Sequence, residues 1–266
     1  MSHFSRSDWK GIYFGPRAGN SILAQVRLSY TGSNQGYINW ADRSTAIYVN
    51  QSSPQFHNLI VSHNGGQGLE LFASSAVIQS SLIYSNAANG IVLTEGGSPQ
   101  LINNTLVFSE DSGLYCLKSS PKVANNIIAF NRNTGFRLDS GTPVLNNNCI
   151  FSNAKGDYFN FNKPATDFSL DPQFVDPATY DFHLKAGSGG INRGDVTALL
   201  PAWTDLDGQP RIAGTAVDVG AYKFGSQTPQ HDIDLAIRNS GDANYTGDGI
   251  YAPSSQTRSQ TKLAGE

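Results

Sequence analysis

The chain has 266 residues, of which 39% are hydrophobic, 15% are charged and 27 are glycine, and its formal net charge is −3. This length accommodates one large domain or two small ones with a sizeable core. The low charge content and the abundance of Asn, Gly and Ser argue against a coiled coil or a helix bundle. The slightly negative charge indicates no basic surface for nucleic acid, and no apolar run reaches the roughly 18 residues that span a bilayer.

The first residues, MSHFSRSDWKGIYF, contain neither an apolar h-region nor a cleavage site, so the sequence predicts no signal peptide. Either the chain is cytosolic or it is a piece excised from a longer exported protein. No amphipathic helix precedes the first apolar segment to cap the fold, and we therefore expect the native chain to extend further upstream. The two cysteines, Cys116 and Cys149, lie in apolar runs and are predicted to be buried reduced thiols.

Internal repeats dominate residues 53–161. Each repeat contains short apolar pieces separated by turn residues, and no piece is long enough for a helix. A period of about 22 residues with three short strands and three corners is typical of one coil of a parallel β-solenoid. The repeats begin at Ser53, Ser75, Ser98, Ser120 and Thr142.

Three columns of equivalent residues support this fold. A proline follows the first position of most repeats, as Pro54 and Pro99 do, and is expected at a corner or at the start of a strand. A later glycine column is expected to adopt positive φ at a tight turn. A third column, four residues beyond the proline, is predicted to stack as a ladder of hydrogen-bonded amides. It contains Asn58, Ser80, Asn103, Asn125 and Asn147.

The five repeats resemble the right-handed parallel β-helix repeat proteins. Residues 171–184, DPQFVDPATYDFHL, together with the later segments DLDGQPR and DVGAY, resemble the C-terminal part of members that carry a "choice-of-anchor Q" domain. This resemblance implies a right-handed all-β solenoid over residues 1–224, with regular coils at 53–161 and a family-like part at 171–224. Residues 225–266 are then a C-terminal extension or the start of another module.

The resemblance also implies an extracellular or cell-surface protein of bacterial type. Other members of the group are polysaccharide lyases, hydrolases or epimerases. This sequence lacks the Gly-His-Gly, Asn-Thr-Asp and Asp-Asp signatures of the polygalacturonase-type hydrolases and the Asp-Pro-His-Asp motif of the alginate epimerases. The sequence therefore leaves open whether the protein is an enzyme.

The strand that follows the glycine column presents the main candidate binding surface. Alternation directs every second residue outward, and the outward column combines acidic, aromatic and basic side chains. Such a face suits an extended polysaccharide, because tyrosine stacks on sugar rings and arginine pairs with uronate carboxylates. The predicted ligand-binding residues are Glu70, Tyr115, Arg137, Asp139 and Tyr158, and the candidate catalytic residues for a lyase are Arg137, Tyr115 and Lys118.

Other polar residues suggest weaker alternatives. Carboxylate and amide oxygens in glycine-punctuated loops can be calcium ligands, although turn and capping roles are commoner for such residues. The candidate calcium ligands are Asp205, Asp207 and Asp218 in the C-terminal part, and Asp242, Asn244 and Asp248 in the extension. His57 and His63 are candidates for a metal ligand or a base, whereas His183 is expected to be structural.

Three functions follow from the sequence. The first is a secreted or surface β-helix protein that binds polysaccharide along its side face. The second is a lyase or hydrolase that acts on an acidic glycan. The third is a structural or adhesive rod that self-associates through the unpaired strand edges at its ends.

Overall fold

The computed structural model describes residues 10–31, 44–199, 203–212 and 216–225, and strands are numbered here in chain order. Three parallel sheets run along the molecule. Sheet 1 contains β1 (Ile12–Phe14), β4 (Thr45–Asn50), β7 (Gln67–Phe72), β10 (Ile91–Thr94), β13 (Leu114–Leu117), β16 (Phe136–Ser140) and β19 (Tyr158–Phe159). Sheet 2 contains β2 (Ile22–Ala24), β5 (Gln55–His57), β8 (Val77–Gln79), β11 (Gln100–Ile102), β14 (Lys122–Ala124) and β17 (Val144–Asn146). Sheet 3 contains β3 (Arg27–Ser29), β6 (Ile60–Ser62), β9 (Leu82–Tyr84), β12 (Thr105–Val107), β15 (Ile127–Ala129) and β18 (Cys149–Phe151).

Each coil contributes one strand to each sheet, so every strand pairs in parallel with its equivalents in the neighbouring coils. Leu69 of β7 pairs with Ile91 of β10, which in turn pairs with Leu114 of β13. These steps of 22 and 23 residues confirm the predicted parallel β-solenoid and its period. The central core is formed by the inward side chains of all three sheets, and Phe56 and Phe136 are among its largest fully buried members.

Each coil also has three corners, and at each one the chain turns through a residue with positive φ. We name them corner 1–2, corner 2–3 and corner 3–1 after the sheets that they join. Corner 1–2 contains Gln51, Ala73, Glu95, Lys118 and Gly141; corner 2–3 contains Gln25, Asn58, Ser80, Asn103, Asn125 and Asn147; corner 3–1 contains Tyr30, His63, Ser85, Phe108, Phe130 and Ser152.

A ladder of buried amides runs inside corner 2–3, one residue beyond the predicted column. The Asn126 side chain donates to Asn148 Oδ1 at 3.0 Å, and its own Oδ1 accepts the backbone N–H of Asn104 at 2.8 Å. The ladder ends where Asn148 donates to Asp167 at 3.1 Å. A second ladder, which includes Asn131 and Asn153, runs inside corner 3–1.

The predicted position of the ladder is therefore wrong by one residue. The predicted column turns the corner with positive φ, and this conformation directs its side chains outward. Only Asn103 and Asn125 in that column bond to each other, at 3.2 Å. The following residue points into the coil, where its amide satisfies backbone groups of the turn in the preceding coil.

The proline column precedes the strands of sheet 2, as predicted: Pro54 comes directly before β5, and Pro99 directly before β11. The expectation for the glycine column is wrong. Only Gly156 in that column has positive φ, at 119°. The others are required by space, since a Cβ on Gly113 would lie 2.4 Å from Ile128 Cγ2.

The C-terminal part packs on the outer face of sheet 3 and on the side of sheet 2 next to corner 2–3, whereas Gln55, Lys122 and Val144 of sheet 2 remain exposed. The hairpin of β20 (Phe174–Asp176) and β21 (Asp181–Leu184), with a 3-10 helix at Pro177–Thr179 between its strands, packs on sheet 3. A second 3-10 helix, Val196–Ala198, belongs to an apolar cluster with Ile102 on sheet 2. The side chains of corner 2–3 hold this part in place: Asn103 donates to the carbonyl of Asp218, Asn125 to that of Asp195 and Asn147 to that of Arg193.

We expect Asn126→Ala to lower the free energy of unfolding by about 3 kcal/mol, because it leaves buried backbone groups of two coils without partners. The control is Asn162→Ala, which changes an exposed amide in a loop. Chemical denaturation followed by circular dichroism measures both variants, and equal effects would contradict a structural role for the ladder.

Candidate functional site

The outward column of sheet 1 combines side chains from successive coils. Its order is set by the strand register and reads Tyr13, Tyr48, Glu70, Val92, Tyr115, Arg137 and Phe159. The first half of the column is largely covered, since Tyr48, Glu70 and Val92 are buried. The exposed surface therefore lies towards the C-terminal end of the sheet.

Two of the predicted binding residues do not reach this surface. Glu70 is only 4% exposed. Tyr158 pairs with Phe136 of the inward column and packs against the central core, and its hydroxyl donates to Asp167 at 3.0 Å. Burial and the Asp167 carboxylate raise the pKa of Tyr158.

The register of the last coil explains the error at Tyr158. The backbone N–H of Gly156 turns back to the carbonyl of Asn153, and Asp157, rather than the glycine, provides the carbonyl for Phe136. The outward residue of β19 is therefore three residues after Gly156, not two as expected from the sequence. Phe159, which is 44% exposed, takes the outward position beside Arg137.

Tyr115, Arg137 and Asp139 form one connected cluster. Arg137 donates to Asp139 through Nε and Nη2, both at 3.0 Å, and the Tyr115 hydroxyl donates to Asp139 Oδ2 at 2.7 Å. The Arg137 guanidinium carbon lies 4.7 Å from the Tyr115 ring centroid and 5.5 Å from that of Phe159. Arg137 is thus stacked between two aromatic rings.

A β-bulge creates the position of Asp139. Leu138 pairs with Cys116, but the next pair joins Leu117 to Ser140, so Asp139 is the additional residue in β16. A bulge bends its strand and redirects a side chain. Here the redirected carboxylate meets the arginine two positions earlier on the same strand.

The cluster is electrically balanced. The hydrogen bonds from Arg137 and Tyr115 lower the pKa of Asp139, so this carboxylate remains charged beside the guanidinium. Burial and the hydrogen bond to Asp139 raise the pKa of Tyr115. On the neighbouring corner 1–2, Lys118 forms an exposed ion pair with Glu95 at 2.9 Å.

These contacts decide what the cluster can do chemically. A catalytic base must accept a proton, but the Tyr115 hydroxyl donates to a carboxylate and has a raised pKa. Two nitrogens of Arg137 are engaged by Asp139, and only Nη1 has no partner among the described residues. The arrangement suits recognition of a ring and its hydroxyl groups better than proton abstraction.

The candidate calcium ligands in the C-terminal part have other partners. The carboxylate of Asp205 accepts the backbone N–H groups of Asp207, Gln209 and Lys223, and that of Asp218 accepts those of Asn192 and Phe224. Within the described ranges, no group of three or more His, Cys, Asp or Glu side chains is placed to hold a metal ion. Asp242, Asn244 and Asp248 lie outside these ranges, as does most of the 225–266 extension.

Asp207 instead belongs to a partly buried histidine site. His183 lies between two carboxylates, with Nδ1 2.5 Å from Asp181 and Nε2 2.8 Å from Asp207, and its ring lies 4.0 Å from that of Tyr222. Burial alone would lower the pKa of His183, but the hydrogen bonds to Asp207 and Asp181 outweigh it and raise this pKa.

Sequence reasoning also missed a row of aromatic side chains at corner 3–1. From the sequence, His63 is identified only as a candidate metal ligand or base, and neither Phe108 nor Phe130 is singled out. Their shared signal is their position, since each follows the strand of sheet 3 and precedes an inward polar residue. Phe108 and Phe130 stack with their ring centroids 5.5 Å apart.

A family model described as "Right handed beta helix region" matches residues 2–106 and 31–169. The chain belongs to this right-handed β-helix family. Among solved structures, it is similar to one described as "Crystal structure of pectate lyase Pel9A", with 14% identity and a TM-score of 0.45. That match covers 82% of this β-helix chain and 65% of the other, which is less than two thirds of the other's length.

Comparison with curated proteins finds no match for this β-helix protein. Among its described residues, no helix has the length and apolar character needed to cross a membrane.

We expect the stability that His183 provides to depend on pH. Because its native pKa is raised, its contribution is complete below the unfolded pKa of about 6.5 and is lost as pH rises through the native value. The stability advantage of the wild type over His183→Gln should therefore be largest in acid.

Denaturation at a series of pH values measures this advantage. His57→Gln is the matched control, because burial lowers the pKa of His57 and its stability contribution should instead fall in acid. The same pH trend for both variants would contradict the assignment.

Proposed function

We propose that this protein binds polysaccharide on sheet 1, through the exposed surface formed by Tyr115, Arg137, Asp139 and Phe159. The observation that carries the proposal is the stack of Arg137 between the rings of Tyr115 and Phe159. It fixes a flat aromatic surface beside hydrogen-bonding groups, which is the combination that recognises a sugar ring and its hydroxyls.

Phe159 is the terminal member of the column. No strand of sheet 1 follows β19 in the described structure, so no further coil covers the second face of this ring. A glycan lying along the sheet would place the apolar face of one sugar on Phe159. Its hydroxyl groups would then lie near Arg137 Nη1 and the Asp139 carboxylate.

The charge balance of the surface indicates the kind of glycan. The positive charges of Arg137 and Lys118 are offset by Asp139 and Glu95. Attraction of an acidic polymer by unpaired positive charge is therefore small, and binding should depend weakly on salt. Neutral glycans fit this surface at least as well as the uronate polymers suggested by the sequence.

The resemblance of residues 171–224 to the choice-of-anchor Q part supports a secreted or cell-surface setting. On this proposal, residues 1–224 form the β-helix domain, and residues 225–266 extend it or begin another module. The C-terminal part packs on sheets 2 and 3 through two apolar clusters. The exposed outward row of sheet 2, from Ile22 to Val144, carries no aromatic residue, so sheet 1 is the sheet that offers an aromatic surface to a polymer.

We expect Phe159→Ala to weaken glycan binding about tenfold, equivalent to about 1.4 kcal/mol, because it removes the exposed ring from the stack. The matched control is Phe224→Ala, which removes a ring of similar exposure (41%) from the C-terminal part. Affinity electrophoresis against neutral and acidic polysaccharides measures both, and equal losses would contradict the placement of the site.

We expect Arg137→Ala to weaken binding by a similar factor, since it removes the group stacked between the two rings. Lys122→Ala is the control, because it removes an exposed cation from sheet 2.

The same samples test the two alternative functions. Release of unsaturated or reducing ends that stops with Arg137→Ala would establish the lyase or hydrolase alternative. Absence of both binding and turnover, together with growth of oligomers in ultracentrifugation, would favour the self-associating rod.

A further inference from the structure

A cleft of about 350 Å³ lies between corner 3–1 and the β20–β21 hairpin. Its size falls within the range of small-ligand sites, roughly 300–1,000 Å³. Aromatic rings line it from both sides: His63, Phe108 and Phe130 from the corner, and Tyr180 from the hairpin. None of these residues belongs to the sheet 1 surface.

The corner conformation arranges the rings on one side of the cleft as a column. His63, Ser85, Phe108 and Phe130 have φ between 53° and 58°, so their side chains leave successive coils in the same direction. Phe108 and Phe130 stack at 5.5 Å with an interplanar angle of 13°, and Tyr30 and His63 stack at 5.8 Å with an angle of 23°.

Ser85 interrupts this column. It occupies the coil between His63 and Phe108, where a small side chain takes the place of a ring. Because neighbouring strands lie about 4.8 Å apart, the rings of His63 and Phe108 are separated by two coils, or roughly 9.6 Å. A pyranose ring in van der Waals contact with a ring on each side, at about 3.5–4.0 Å per contact, needs roughly 7–8 Å and therefore fits within this separation.

The gap that Ser85 leaves between His63 and Phe108 is called the slot here, and Tyr180 closes one side of it. Its ring lies 4.8 Å from that of His63 in an edge-to-face arrangement and 5.1 Å from that of Tyr84. Tyr180 has positive φ at the end of the 3-10 helix Pro177–Thr179 and is 46% exposed. The hairpin therefore adds an amphipathic wall to a slot that the corner alone would leave open.

Two charged side chains from the coils of Phe108 and Phe130 also line the cleft. Arg132 Nε lies 3.1 Å from Glu110 Oε2, and the Arg132 side chain is 73% exposed. This pair presents guanidinium donors beside a carboxylate acceptor, which together bind neighbouring hydroxyl groups. Its charges offset each other, so the pair favours a neutral sugar over a uronate.

We infer that this cleft is a second carbohydrate site, in which one hexopyranose ring of a neutral glycan inserts between His63 and Phe108 and its hydroxyls contact Arg132 and Glu110. The slot at Ser85 is its defining feature. The site is independent of the sheet 1 surface and accepts a short sugar, whereas sheet 1 takes a longer polymer.

Ser85→Phe tests the slot without removing any ring, since it completes the aromatic column and fills the gap. Ser152→Phe is the matched control, because it adds the same side chain at an exposed position of the same corner, outside the cleft. The probes are cellobiose, maltose and β-1,4-galactobiose, with digalacturonate as the acidic comparison. Saturation-transfer NMR and calorimetry measure binding to the full chain, and circular dichroism checks that each variant is folded.

We expect at least one neutral disaccharide to bind the wild type and Ser152→Phe equally, and to bind Ser85→Phe and Phe108→Ala at least tenfold more weakly.

Loss of disaccharide binding in Phe159→Ala but not in Ser85→Phe would overturn the cleft site and leave the sheet 1 proposal standing. Loss in Ser85→Phe, with polymer binding unaffected by Phe159→Ala, would support the cleft and overturn the sheet 1 proposal. No binding of any neutral disaccharide to the wild type, or preference for digalacturonate, would overturn the inference.

Discussion

The structure depends on how each coil turns its corners. At each corner named above one residue has positive φ, and in all of them except Gly141 this residue is not glycine and its φ lies near 55°. This conformation costs energy for an L-residue, but asparagine tolerates it well and the neighbouring coils hold it in place. The next residue then points inward, and at two of the three corners buried amides such as Asn126 and Asn131 bond the turn of one coil to the turn of the next.

The positive-φ residue of a corner therefore projects outward at the same place in every coil, and these residues form a column. The three columns differ in the type of side chain that they carry. Corner 1–2 carries the exposed Glu95–Lys118 ion pair. Corner 2–3 carries small polar side chains that bind carbonyl groups of the C-terminal part, as Asn103 and Asn125 do. Corner 3–1 carries aromatic rings, interrupted at Ser85, that form one wall of the cleft.

Attachment of the C-terminal part decides which surfaces are available to a ligand. Arg211 shows how tightly this part is joined to the coils: it is fully buried and donates to Ser80 Oγ and to carbonyls including that of Asn103. Burial lowers its pKa to about 10, so it remains charged at neutral pH. Sheet 3 is covered, and the exposed part of sheet 2 carries no aromatic residue. Sheet 1 and the cleft at corner 3–1 therefore become the two candidate sites, and both combine aromatic rings with a neutralised ion pair.

The sequence by itself determined the solenoid, its period and the order of strands and corners, because each coil repeats the same local pattern of apolar, turn and proline residues. It also predicted that Tyr115 and Arg137 share one face, since alternation along a strand is local, whereas the β-bulge that turns Asp139 towards Arg137 belongs to the folded sheet. Only the tertiary structure decided that Phe159 replaces Tyr158, that Glu70 is buried, and that His63 and Phe108 face Tyr180. These facts depend on a one-residue register change at Gly156 and on the packing of distant segments, and neither follows from a local pattern.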